Sequence, residues 1–203
     1  MGKRILIAPL DWGLGHATRC IPIIQELLNQ GNKVMVASSG LALNLLKEEF
    51  PGLTFFELPS YKATYAKWFP LMLKVFWQSP YFLYVIRKEH ALINKLIDDH
   101  KLDIVISDNR YGCYSKKAKS IFITHQLTIQ MPKALIWLQG YVNYFNRRLI
   151  KRFNACWVPD FPDQRLSGVL TTNRLPVFFP VLFIGSISIT SIFPLPTVEV
   201  LCI

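Results

Sequence analysis

The sequence predicts an α/β fold, a doubly wound parallel sheet, on three observations. Short apolar runs without polar alternation recur along the first two thirds of the chain. Helical patterns of ten or so residues lie between them, the spacing that right-handed crossovers require. The first run ends in a glycine-bearing loop, Asp11-Trp12-Gly13-Leu14-Gly15-His16, that opens a helix.

Residues 5–10 (Ile-Leu-Ile-Ala-Pro-Leu) read as a strand buried on both faces. A helix follows over 17–30, with Ile21, Ile24, Leu27 and Leu28 on one side and Gly31 as its stop. Residues 33–37 read as the second strand, 41–50 as a helix closed by Pro51-Gly52, and 53–58 as the third strand. Helical spacing returns over 84–99 through Val85, Leu92, Ile93 and Leu96. Three more strands are expected at 103–107, 120–124 and 155–158, with a basic helix over 134–153 between the last two. Residues 1–165 are expected to form one domain. Residues 166–203 are read as an apolar linker or the start of a second.

Composition narrows the function. The chain has 203 residues, 51% hydrophobic and 18% charged, enough to bury a core and against general disorder. The net charge of +10 is concentrated: residues 1–60 carry none, 61–152 carry +11, and 153–203 carry −1. Such a field attracts phosphates of nucleic acid, anionic lipid or a diphosphate substrate. No usual nucleic-acid-binding motif accompanies it, so no nucleic-acid partner is expected. Four scattered cysteines without a Cys-x-x-Cys pair suit reduced thiols and neither a zinc site nor a disulfide framework. The apolar start is too short for a signal-peptide core, and a cytoplasmic location is expected. No charge occurs over residues 175–198, a length that suits a membrane span, but Pro176, Pro180, Pro194 and Pro196 weigh against one uninterrupted helix.

The loop after the first strand is the strongest candidate site. Gly13 and Gly15 let backbone N–H groups approach an anion, and the helix beyond aims its positive dipole end at the same point. His16 stands at that helix start, where an imidazole with an ordinary pKa of about 6.5 can act as a general base. The same residues also suit a plain tight turn in which His16 caps the helix. A second candidate is Ser107-Asp108-Asn109-Arg110, at the end of the fourth strand. There Asp108 could serve as acid, base or acceptor ligand, or could simply bond its own turn. No Asp-x-Asp or carboxylate cluster calls for a metal, and no cofactor is expected.

The run from Ile5-Leu6-Ile7-Ala8-Pro9 through Gly13-Leu14-Gly15-His16-Ala17-Thr18-Arg19, with Pro22 soon after, resembles the start of GT-B glycosyltransferases. More narrowly it resembles the peptidoglycan N-acetylglucosaminyltransferases that act on a lipid-linked precursor. The resemblance implies a Rossmann-like sheet as the first, acceptor-binding half of a two-domain fold, with a nucleotide-sugar such as UDP-N-acetylglucosamine as donor and a glycolipid or polysaccharide as acceptor. It implies His16 as base and Asp11, Gly13, Leu14, Gly15, Thr18 and Arg19 as substrate-binding residues, with Asn109 and Arg110 from the fourth-strand loop. Thr124-His125-Gln126 resembles the family's His-Glu-Gln-Asn segment, so His125 and Gln126 would line the cleft. Here Gln126 replaces the family's Glu, and Thr128 stands where the Asn would be. The family also implies a membrane-facing patch. The aromatic and basic stretch over 61–88, with Trp68, Phe69, Lys74 and Trp77, matches it, although these aromatics suit a domain core as well. Residues 183–185 resemble the junction into the family's second domain. Beyond them the donor-binding part is not recognised, so turnover by this chain alone is not expected. Two other readings remain open: a non-catalytic binding module cut short, and a membrane-anchored protein.

Overall fold

The inner strands of the sheet place alternate side chains in separate cores on its two faces, which is why their apolar runs carry no polar alternation. Ile5 and Ile7, Val34 and Val36, Ile104 and Ile106, and Ile121 and Ile123 pack with Ala17, Ile24 and Leu27 on one face. Leu6 and Ala8, Met35 and Ala37, and Val105 pack with Ile93, Leu96 and Ile97 on the other. In a computed structural model that describes residues 2–61, 71–159 and 181–183, these runs form seven parallel strands in the order β3-β2-β1-β4-β5-β6-β7. The elements are β1 Arg4–Pro9, α1 Gly15–Asn29, β2 Lys33–Ser38, α2 Gly40–Glu49, β3 Thr54–Glu57, α3 Leu71–His100, β4 Ile104–Asp108, β5 Lys119–Ile123, a 3₁₀ helix Lys133–Leu138, α4 Gln139–Ile150, β6 Ala155–Val158 and β7 Val181–Phe183. This is the doubly wound, Rossmann-like arrangement.

The strand order reverses between β1 and β4, so a crevice opens at their carboxyl ends. The two adjacent loops, after β1 and after β4, are the two that the sequence singled out.

Three elements differ from expectation. α3 begins at Leu71, well before residue 84, and continues through Pro80. Residues 133–138 form a 3₁₀ helix, so α4 proper starts at Gln139. A seventh strand, β7, pairs with β6, Val158 opposite Phe183. Trp68 and Phe69 lie outside the described residues, as do the side chains of Lys74 and Trp77 and most of 166–203.

Candidate functional site

The site is built where β1 and β4 end side by side, with Pro9 opposite Asp108 and the Leu10 N–H donating to the Asp108 carbonyl at 3.0 Å. Asp108 continues the inward row of Ile104 and Ile106, so its carboxylate points under the start of α1 and is wholly buried. Gly13 supplies the positive φ of 81° that turns the chain into the helix. Among the described residues no side chain caps α1, and its first turn holds no acidic residue. Its free N–H groups and positive dipole end therefore face the crevice.

One helical turn separates His16 from Arg19, so both side chains descend on Asp108 from the same face. Arg19 grips the carboxylate with Nε at 3.0 Å from Oδ2 and Nη2 at 2.6 Å from Oδ1. His16 Nδ1 lies 3.2 Å from Asp108 Oδ2 and 2.8 Å from Arg19 Nη2. Arginine can only donate, so these two contacts require opposite tautomers. With Nδ1–H directed at Asp108, Nε2 is open to take a proton. With Nδ1 accepting from Arg19, Nε2 carries a hydrogen instead. Arg19 already has both carboxylate oxygens of Asp108, which makes the first tautomer available without loss of its ion pair.

His125, just beyond β5, completes the cluster. It is half-buried and its pKa is held below the ordinary value, first by burial and then by the charges of Arg19 and His16. It therefore stands in the crevice as a neutral imidazole near pH 7, able to donate or accept a hydrogen bond. Gln126 is exposed, its N–H held by Thr124 Oγ1 at 3.0 Å. Leu14 and Thr18 are exposed at the loop and first turn, and Gly15 is the first helical residue. Trp12 meets Tyr61 and Phe82 edge-on.

Asp11 and Arg110 occupy a different place from the one their sequence position suggests. Asn109 takes a left-handed conformation, φ 58°, and carries Arg110 away from Asp108 into the interior. Arg110 is completely buried and bonds protein groups only, so it does not meet a ligand directly. Its partners include Glu89 of α3, which the sequence reading did not single out because it reads as one more charge on a helix. Glu89 also accepts from the Tyr61 hydroxyl at 2.6 Å and the Gly112 N–H at 3.1 Å. Burial pushes its pKa up, against the pull of Arg110 and these donors. A Cβ at Gly112 would meet the Ile86 carbonyl and the Glu89 side chain, so only glycine lets α3 come this close. Among the described residues no group of three or more His, Cys, Asp or Glu is gathered as a metal site.

α4 presents an unusual face. Its buried residues are Asn143, Asn146 and Ile150, while Tyr141, Tyr144 and Phe145 point outward with Ile136 and Trp137 of the 3₁₀ helix. Trp137 and Tyr141 are 71% and 70% exposed. Lys133, Arg148, Lys151 and Arg152 are exposed around them. On neighbouring α3, Tyr81, Leu83, Tyr84, Arg87 and Lys88 are exposed too.

Solved structures share this architecture. The apo form of UGT2 from Phytolacca americana matches with a TM-score of 0.57 at 15% identity, over 94% of this chain and 54% of that one. The fold is that of the GT-B glycosyltransferases. A putative UDP-N-acetylglucosamine 2-epimerase from Listeria monocytogenes matches with a TM-score of 0.52 at 11% identity, over 79% and 40%. The fold therefore accommodates chemistry other than sugar transfer. A MurG from Acinetobacter baumannii matches at 12% identity over 81% and 42%, with a TM-score of 0.47 that lends no weight to the narrower peptidoglycan family. The chain spans about half the length of these structures. No family model and no curated protein matches it.

Proposed function

We propose that this chain is the acceptor-side half of an inverting GT-B glycosyltransferase. The observation that carries the reading is the His16–Asp108 pair, set at the strand-order reversal beside an uncapped helix start. In the proposed reaction an acceptor hydroxyl attacks the anomeric carbon of a nucleotide-sugar. His16 Nε2 takes the hydroxyl proton as the new C–O bond forms, and the nucleoside diphosphate departs with the electrons of the broken bond. Asp108, accepting from Nδ1–H, stabilises the imidazolium that results. Arg19, bonded to both carboxylate oxygens, keeps Asp108 aimed at the ring.

The loop amides of Gly13 to Gly15 suit phosphate or sugar oxygens of the acceptor, and His125 and Gln126 suit its hydroxyls. The donor is assigned to a second domain, which would begin after β7 rather than at residue 166, because Val181–Phe183 still pairs with β6. A glycolipid acceptor is supported by the aromatic and basic outer faces of α3 and α4, which suit a membrane surface. A peripheral site on the inner membrane face follows from that reading. In protein carrying both halves, His16→Ala is expected to lower sugar transfer about a hundredfold or more. Transfer at the unmodified rate would remove His16 from the role of base.

A further inference from the structure

Arg110 has five N–H hydrogens, and four hydrogen bonds run from them to acceptors in different parts of the chain. Nε donates to the Pro9 carbonyl at 2.8 Å, where β1 ends. Nη1 donates to the Pro59 carbonyl at 3.0 Å, beyond β3, and to Glu89 Oε1 at 2.6 Å, on α3. Nη2 donates to Ser39 Oγ at 2.7 Å, at the start of α2, and lies 3.4 Å from Asp11 Oδ1. Ser39 in turn donates to Asp11 Oδ2 at 2.9 Å. Asp11 Oδ1 is buried and has no hydrogen bond of its own, so its charge rests on the guanidinium. The Pro9 carbonyl also accepts from Ser38 Oγ at 2.9 Å. Two side chains thus replace the ladder partner that β1 loses where it leaves the sheet.

We propose that Arg110 is the positioning residue of the candidate site, holding the loop from Leu10 to His16 in register with Asp108 through Pro9, Ser39 and Asp11. Glu89 is its counter-charge, and Tyr61 and Gly112 hold Glu89 in turn. The arrangement is specific to arginine. A lysine ammonium is a point charge with three donors and cannot span acceptors on four elements. The left-handed turn at Asn109 separates two functions over two residues: Asp108 faces His16, and Arg110 fastens the loop that carries His16. The consequence for chemistry rests on the reading of His16 and Asp108 as the reacting pair, but the positioning itself does not require turnover.

The test uses the full chain without any substrate. Arg110→Lys and Ser39→Ala are compared with the unmodified protein by amide hydrogen exchange and by the imidazole resonances of His16. In Arg110→Lys, amides of residues 10–16 are expected to exchange about tenfold faster or more, with β5 and β6 unchanged, as local rather than global opening requires. The His16 resonances are expected to move, although Arg110 does not touch that ring. Ser39→Ala, which removes only the relay to Asp11, should move the same amides and resonances in the same direction by less. Unchanged exchange over 10–16 and unchanged His16 resonances in the folded variants would overturn the proposal. If Arg110→Lys does not fold, Ser39→Ala decides alone. A failure of sugar transfer with these shifts present would sink the proposed reaction and leave the positioning intact.

Discussion

At Asp108 one fully buried carboxylate answers to a bidentate arginine, a histidine and, at 4.0 Å, the Cys20 thiol. The desolvation of that charge is offset by Arg19, whose side chain keeps a quarter of its surface in solvent. An Asp108→Asn exchange keeps the shape and removes the charge. It converts two charge-assisted bonds from Arg19 into weaker ones and puts an amide where an acceptor is needed. The expected cost is about 1.5–3 kcal/mol of unfolding free energy, the usual worth of a bond to a charged group. The same exchange removes the acceptor for His16 Nδ1–H, so the proposed sugar transfer is expected to fall with it. Stability equal to the unmodified protein in chemical denaturation would show that the carboxylate is not the anchor of this cluster. His16 and Asp108 were both visible in the sequence, because each ends or begins an element at the sheet's carboxyl edge. Arg110 was visible and misplaced, since no spacing rule shows that Asn109 adopts the left-handed turn.

Among the elements, α4 is the one whose pattern reads inside out. Helical periodicity takes apolar residues as the buried stripe. Here the inward face carries Asn143 and Asn146, and the aromatics stay outside. The asparagines replace a missing strand partner for the segment after β5. Asn143 accepts from the Ile129 N–H at 2.6 Å and donates to the Ile129 carbonyl at 3.0 Å, while Asn146 donates to the Gln126 carbonyl at 3.0 Å. Asn146 is itself fixed by the Tyr111 hydroxyl at 2.8 Å. The segment so held begins beside His125, which places α4 in service of the site. Asn143→Ala would leave a backbone N–H and a carbonyl without their side-chain partners. The expected loss is about 2 kcal/mol, with faster amide exchange over residues 126–131. Unaltered exchange there would mean that the segment holds its shape without α4. The first six strands, by contrast, were legible almost residue by residue, whereas β7 was not. Their runs are apolar on both faces, and a parallel strand has no other way to be built.

For the molecule as a whole, charge and shape point the same way. Of the excess of +11 over residues 61–152, α3 carries +1 and α4 +2, and the rest lies on the 3₁₀ helix, on the connecting loops, at the start of β5 and on residues 62–70. Both helices cover the same face of the sheet, since their buried residues join Leu6, Val105, Phe122 and Cys156 rather than Ile5 and Ile106. The other face, under α1 and α2, has no comparable concentration of cations, because residues 1–60 balance to zero. One side therefore combines exposed aromatics with lysine and arginine, the mixture that suits a headgroup region. Each cation near an anionic surface is worth about 1 kcal/mol, so a handful suffices for measurable binding at low salt. No helix among the described residues is long and apolar enough to cross a membrane. The expected result is co-sedimentation with vesicles containing phosphatidylglycerol, weak binding to phosphatidylcholine alone, and release as ionic strength shortens the Debye length. Trp137→Ser with Tyr141→Ser should weaken the association while leaving thermal unfolding close to unchanged, because both side chains are already in solvent. Equal binding to neutral and anionic vesicles, or none to either, would assign this face to another partner and detach the glycolipid acceptor from its main support.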